Sequence, residues 1–327
     1  MTLSVIKKQR GLSLIELMIA ITLGLFITAG LIQLFISSKQ SYRIQENLSR
    51  VQENGRFAME LLATDIRMAG YWGCLGSTET IQNNLAPYDS NGDGQTDGIY
   101  ESILDAIVAT NGDGLNNSDS ISVNRVTPPS AAIVETATNK SAALKVTSGS
   151  GLEKNDIVMA IDCISGDLFQ ITNDPTVSGA SDQDELAHDS GAAMKAGNAT
   201  INFQKIYSTD AKIHKIRNIE YYISQNPGGH PALYRRLNGN RGQELVEGIE
   251  NMQILYAIDT TNAYIPFTTG LDLSNAISVR LSFLAATLED NIATESSSTS
   301  MGTYTSPNDR KIRRIFTSTI ALRNRLP

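Results

Sequence analysis

The sequence predicts an α+β protein: one long N-terminal helix, half transmembrane and half amphipathic, packed on a mainly antiparallel β-sheet globular domain. Three observations carry this. The apolar run from Leu12 to Ile36 contains Glu16 as its only charge. A helical repeat continues beyond it, with no proline between Met1 and Ala86. From Ile121 onward, short β-branched and aromatic runs alternate with turn clusters.

The elements follow in order. The 25 residues Leu12–Ile36 make a helix of about 37 Å, enough to cross a hydrocarbon layer of ~30 Å. The basic cluster Lys7, Lys8 and Arg10 precedes the run. It favours the cytoplasmic side, which exports the C-terminal bulk. Beyond the run, Ile44, Leu48, Val51, Gly55, Ala58 and Leu62 recur at alternating spacings of four and three. That seam packs one face of the helix on the globular domain, and the small Gly55 and Ala58 allow close approach. Arg43, Glu46, Arg50, Glu53, Arg56 and Glu60 fall between, three or four apart. One helix is expected from about Ser4 to about Met68, ending near Gly70. Four regions result: 1–11, 12–36, 37–70 and 71–327.

Tyr71-Trp72-Gly73-Cys74 holds the single Trp, which reads as a packing anchor. Residues 76–98 read as loop, and Ile99–Ala109 is ambiguous between helix and strand. Expected strands are Ser120–Val126, Ala143–Val146, Asp156–Cys163, Leu168–Thr172 and Thr200–Tyr207. Further ones are Ile213–Ser224, Ala232–Leu237, Ile249–Ile258, Ile277–Ala286 and Arg314–Leu322. Residues 173–199 and 288–309 are polar and read as surface loops.

A secretory signal would have a shorter apolar region and a small-residue cleavage site. A plain anchor would leave Glu16 unexplained, since a carboxylate in lipid is costly and by default functional. Gly11 followed by Leu12-Ser13-Leu14-Ile15-Glu16 resembles the class III leader of type IV pilins and type II secretion pseudopilins. The resemblance implies cleavage by prepilin peptidase between Gly11 and Leu12. It also implies that Glu16, fifth after the cut, pairs with the new N-terminus of a neighbouring subunit. The family usually has Phe, N-methylated, where this chain has Leu12.

Further pieces are similar to the PilW family of minor pilins. They are Arg67-Met68-Ala69-Gly70-Tyr71-Trp72-Gly73-Cys74, then Asp156-Ile157-Val158 with Cys163, then Leu233-Tyr234-Arg235-Arg236. They continue in Leu245-Val246-Glu247-Gly248-Ile249-Glu250 with Leu255-Tyr256, and in Arg314-Ile315-Phe316-Thr317-Ser318-Thr319-Ile320 with Leu322-Arg323-Asn324. The resemblance implies a pilin-like fold and a non-enzymatic subunit. Its precursor would span the inner membrane of a Gram-negative bacterium, with a periplasmic domain, before entering a pilus near the tip. Implied partners are the other minor pilins, the major pilin, prepilin peptidase, the inner-membrane assembly platform and a large tip adhesin. The implied role is to initiate pilus assembly, in service of twitching motility, adhesion and DNA uptake. A minor pseudopilin of a type II secretion system is the nearest alternative. A calcium-dependent tip adhesin or DNA-binding pilus subunit is another.

The net charge of −7 becomes −10 once residues 1–11, with Lys7, Lys8 and Arg10, are removed. An acidic surface argues against broad nucleic-acid binding, and no specific nucleic acid is expected. Two local basic clusters, Arg310-Lys311 with Arg313-Arg314 and Arg235-Arg236 with Arg241, read as strand-edge charge and lack interleaved aromatics. Cys74 and Cys163 form a disulfide in an exported chain or stay as two buried thiols. Asp89, Asn91, Asp93, Gln95 and Asp97 follow the start of an EF-hand-like loop that could hold Ca²⁺, with Gly94 at the turn. The pattern fails at its twelfth position, Tyr100, so an ordinary Asx/Gly turn competes with it. Asn111-Gly112-Asp113-Gly114 with Asn117 and Asp119 reads as a turn. His188, His214 and His230 show no metal-ligand spacing, and no nucleophile elbow, phosphate loop or dinucleotide fingerprint occurs.

Overall fold

The computed structural model describes residues 13–86, 102–175, 183–191, 197–258 and 263–325. Among the described residues, one α-helix, α1 (Leu14–Arg67), runs for 54 residues. The expected start at about Ser4 lies outside the described residues. Ser13 holds extended backbone (φ −75°, ψ 149°) and forms a capping box with Glu16, which sets the first turn. It ends at Met68, and Gly70 takes the left-handed φ of +68° that turns the chain away.

Seventeen strands follow among the described residues. The first eight are β1 (Ile81–Asn83), β2 (Ile107–Thr110), β3 (Ser120–Val126), β4 (Ala131–Ala132), β5 (Leu144–Thr147), β6 (Ile157–Ile161), β7 (Gly166–Gln170) and β8 (Gln183–Leu186). The rest are β9 (Lys212–Gln225), β10 (Pro231–Leu237), β11 (Gln243–Glu247), β12 (Ile249–Ile258), β13 (Tyr264–Pro266), β14 (Ala276–Ala286), β15 (Ser300–Met301), β16 (Tyr304–Thr305) and β17 (Arg313–Ala321).

The larger sheet runs β1-β7-β6-β9-β10-β11, with β3 and β4 also on β9 and β2 on β3. Its pairs are antiparallel except β1 with β7. β9 is the spine. Its first residues, Lys212–Lys215, pair with β6, and its later residues pair with β3 and β10. The second sheet runs β13-β12-β14-β17, all antiparallel. Gly248, at φ +81°, steps the chain between the sheets. A Cβ there would press on the carbonyl oxygen of Ala286, so this crossing requires glycine.

The main core lies between the outer half of α1, the second sheet and the far end of β9 and β10. It gathers Val51, Ala58, Leu62, Ile66, Tyr221, Leu233, Met252, Tyr256, Leu281 and Phe283. The seam is as the spacing predicts: Val51, Gly55, Ala58 and Leu62 are buried. Gly55 lies flat against the Phe316 ring, leaving no room for a Cβ. A methyl there would gain helix propensity but overpack the contact, and a branched side chain does so more strongly. Gly55→Val is expected to lower unfolding free energy by about 1–3 kcal/mol. Denaturant titration of the full chain in detergent measures it, and Phe316→Ala in the same chain removes most of the penalty.

A second core holds Phe169, Phe203, Tyr207, Ile213 and Leu186, and a third holds Trp72, Leu75, Ile161 and Leu168. Trp72 is thus an anchor, as expected. Several expectations need correction. Thr200–Tyr207 is not a strand. Phe203 and Tyr207 are buried, but side-chain bonds hold this segment: Tyr207 Oη donates to Asp167 Oδ2 at 2.6 Å and Gln204 N donates to Asp167 Oδ1 at 3.1 Å. Residues 173–199 contain β8, paired with β5, and 288–309 contain the β15–β16 hairpin. β1 lies inside the expected loop 76–98, and the ambiguous Ile99–Ala109 yields β2.

Candidate assembly interface

From Leu14 to Ile36 the helix is uncovered. Phe26 is 83% exposed, Phe35 70% and Leu14 76%. α1 is long and apolar enough to cross a membrane. Among the described residues, no part of the domain packs on this segment, so its apolar surface needs lipid or other helices. Thr22 and Thr28 donate to the helix's own carbonyls at Met18 and Gly24 (3.0 and 2.7 Å), so neither hydroxyl is left without a partner in an apolar setting.

Glu16 stands at the first turn. Its Oε2 accepts the Ser13 N–H at 3.0 Å, and the Ser13 Oγ accepts the Glu16 N–H at 3.3 Å. The carboxylate therefore faces the positive end of the helix dipole. Sequence reasoning missed this second role of Glu16, although Ser13-x-x-Glu16 is a capping-box spacing. Gly11 and Leu12 lie outside the described residues.

Where α1 reaches the domain, polar side chains register it. Asn54 Nδ2 donates to Glu247 O at 2.9 Å. Asp65 accepts from Arg125 Nη2 at 3.2 Å and from Tyr221 Oη at 2.6 Å. Burial and the Asp65 carboxylate together push the Tyr221 hydroxyl above its usual range. Arg43 pairs with Glu289 and Arg50 with Glu46, each at 2.8 Å, on the exposed side. Such exposed pairs contribute little.

Cys74 and Cys163 are joined in a disulfide. It ties the segment after the helix to the β6–β7 turn, where Cys163 sits at φ +69°. The turn is held by Asp162 Oδ1, which accepts from the N–H groups of Ile164 and Ser165 at 3.1 and 3.0 Å. Lys205 pairs with the same Asp162.

Two of the arginines in these clusters are taken up in ion pairs. The Arg313 side chain, 2% exposed, donates to both Glu250 oxygens (2.7 and 3.0 Å) and both Asp309 oxygens (2.6 and 2.8 Å). Arg236 pairs with Glu220 at 2.8 Å and lies 4.9 Å over the Tyr222 ring, which stacks on Tyr234 at 5.7 Å. Aromatics do therefore flank this cluster in space, contrary to the sequence reading, because β9 and β10 place Tyr222 opposite Tyr234.

The EF-hand-like residues Asp89, Asn91, Asp93, Gln95 and Asp97 lie outside the described residues. Among the described residues, no group of three or more His, Cys, Asp or Glu is placed to hold a metal. His188 and His214 are buried and bond the carbonyls of Ile201 and Thr127 at 3.0 and 2.9 Å. Burial lowers the pKa of both.

The Asn111–Asp119 segment is a turn that hooks onto β12. Asp119 N donates to Met252 O at 2.9 Å, and Asp119 Oδ2 accepts from Ile254 N at 2.7 Å. Burial raises the Asp119 pKa to about 6, against the N–H bonds from Ile254 and Gly112. A raised folded-state pKa means the folded protein takes up this proton first. The resulting stability is complete below the usual 3.8 and is lost as pH rises through about 6. Between pH 4 and 7, wild type is expected to lose about 2–3 kcal/mol relative to Asp119→Asn, at 1.36 kcal/mol per unit. Unfolding both chains across that range measures the difference.

The described residues thus combine an exposed apolar helix, capped by a carboxylate, with a mainly antiparallel domain on which its outer half packs. Residues 220–324 match the family model described as Type IV Pilus-assembly protein W. Residues 6–32 match the prokaryotic N-terminal methylation motif. A type IV-like pilin from Thermus thermophilus is similar in structure at 10% identity, with a TM-score of 0.38 over 85% of this chain and 98% of that one. No curated protein matches the chain.

Proposed function

We propose that this chain is a minor pilin that helps to start a type IV pilus and stays near its tip. Its precursor is held in the inner membrane by Leu12–Ile36, with the domain in the periplasm. Prepilin peptidase cuts between Gly11 and Leu12, and the freed helix joins the bundle of the growing fibre. The uncovered stretch Leu14–Ile36 carries this reading, because the same helix, in its outer half, packs on β14 and β17 within the residues that match the PilW family model. The role is structural and non-enzymatic. Its partners are the other minor pilins, the major pilin and the assembly platform.

Glu16 pairs with the terminal amine of a neighbouring subunit inside the apolar bundle, where either charge alone would be costly. It gives up the Ser13 N–H to do so. Glu16→Ala is expected to insert into the membrane normally and to enter fibres at least about tenfold less, equivalent to about 1.4 kcal/mol. Immunoblots of sheared fibres against membranes measure the ratio. Normal incorporation would overturn the pairing.

A further inference from the structure

The two edges of the second sheet are treated differently. The free side of β12 is occupied by β13 along Leu255–Ala257, and by the hooked Asn111–Asp119 segment further back. β17 pairs with β14 alone. Leu322 N donates to Ile277 O and Thr287 N donates to Ile312 O, which fixes the phase of the ladder. Even-numbered residues of β17 bond to β14. Ile315, Thr317, Thr319 and Ala321 turn their N–H and C=O groups outward, with no partner among the described residues.

All four are exposed, and Ile315 is 47% so. The usual protections of an edge are missing between Ile315 and Ala321. The segment has no charge and no proline, its register shows no bulge, and nine residues is long for an edge strand. The arginines that would guard it do not: Arg313 is turned into its ion cluster, and Arg314 precedes the open segment.

We propose that this edge receives an extended, uncharged strand from a different subunit of the same fibre, continuing the four-stranded sheet. The proposal rests on the fibre reading above. α1 and β17 run in the same direction, because Gly55 packs on Phe316 and Ala69 O accepts from Asn324 Nδ2 at 3.1 Å. A neighbour whose helix lies parallel to Leu14–Ile36 is therefore carried alongside the open edge. Two copies of this chain related by an exact twofold do not satisfy each other there. Antiparallel pairing of β17 with β17 would reverse one apolar helix against the other, although both enter from one membrane. Parallel pairing across a twofold would set outward-bonding residues opposite each other, whereas a parallel ladder needs each opposite a non-bonding residue. The occupant is thus another subunit's strand, held by backbone bonds.

Hydrogen exchange on the full chain tests this, first in detergent and then in sheared fibres. The amides of Ile315, Thr317, Thr319 and Ala321 should exchange fast in detergent and at least about 100-fold more slowly in fibres. Those of Phe316 and Ser318 should be slow in both. Thr317→Pro removes one outward N–H without touching the β14 ladder. Thr319→Lys keeps the backbone and adds an edge charge, so it serves if the proline variant does not fold. Either folded variant should lose fibre incorporation. Fast odd-numbered amides within fibres that contain the chain would overturn the edge proposal alone. Absence of the wild-type chain from fibres would overturn the fibre reading and this proposal with it.

Discussion

Arg313→Ala is expected to be the most damaging single change in the domain, at about 3–5 kcal/mol. Arg313 reaches from β17 over the end of β14 to Glu250 on β12, and also holds Asp309 in the preceding loop. Burial works against its charge, but the bonds to Asp309 and Glu250 keep its pKa above the usual arginine range. The same bonds hold the Asp309 carboxyl below its ordinary range. Truncation leaves Glu250, itself 6% exposed, as a desolvated carboxylate without its cation. The cost comes from that stranded charge more than from the lost attraction. Arg313→Met combined with Glu250→Leu is therefore expected to recover most of the loss. Denaturant unfolding of the full chain in detergent distinguishes the two variants. Equal destabilisation by both would contradict the account.

Replacing Cys74 and Cys163 together by serine is expected to cost roughly 4 kcal/mol. The bond spans 89 positions of sequence, so its absence frees a long loop in the unfolded chain. It also releases the turn at Asp162–Ser165, where only Asp162 would then hold Ile164 and Ser165. Melting curves with and without reductant measure the effect. A reduced wild type that melts with the double variant would assign the loss to the bond and not to the substitutions. A fall below about 1 kcal/mol would show that the reduced unfolded chain is already compact.

Much of this architecture is visible in the residue pattern. Ser120–Val126 and Ile249–Ile258 begin and end where alternation and turn residues place them. The seam through Val51, Gly55, Ala58 and Leu62 predicts the buried face of α1, and Gly55 indeed marks the closest approach. The misses have physical causes. β8 reads Gln-Asp-Glu-Leu, and its pairing with β5 overrides weak strand propensity. Phe203 and Tyr207 mimic an alternating strand, yet the Asp167 carboxylate organises that segment through side chains. Arg313 looks like surface charge because Glu250, its partner, lies far away in sequence. At the N-terminus the resemblance identified Glu16, but its bond to Ser13 required local geometry to see.

β9 carries a different consequence. Its first four residues belong to the lobe of β4 and β6, and the remainder to the lobe of β3 and β10. No linker separates the lobes, because one unbroken strand is a wall of both. Load that reaches β9 from α1 through the Tyr221–Asp65 bond is shared by the ladders along that strand. A hinge at that boundary would have let one lobe peel away before the other. With β9 continuous, the two lobes along it are held on one strand.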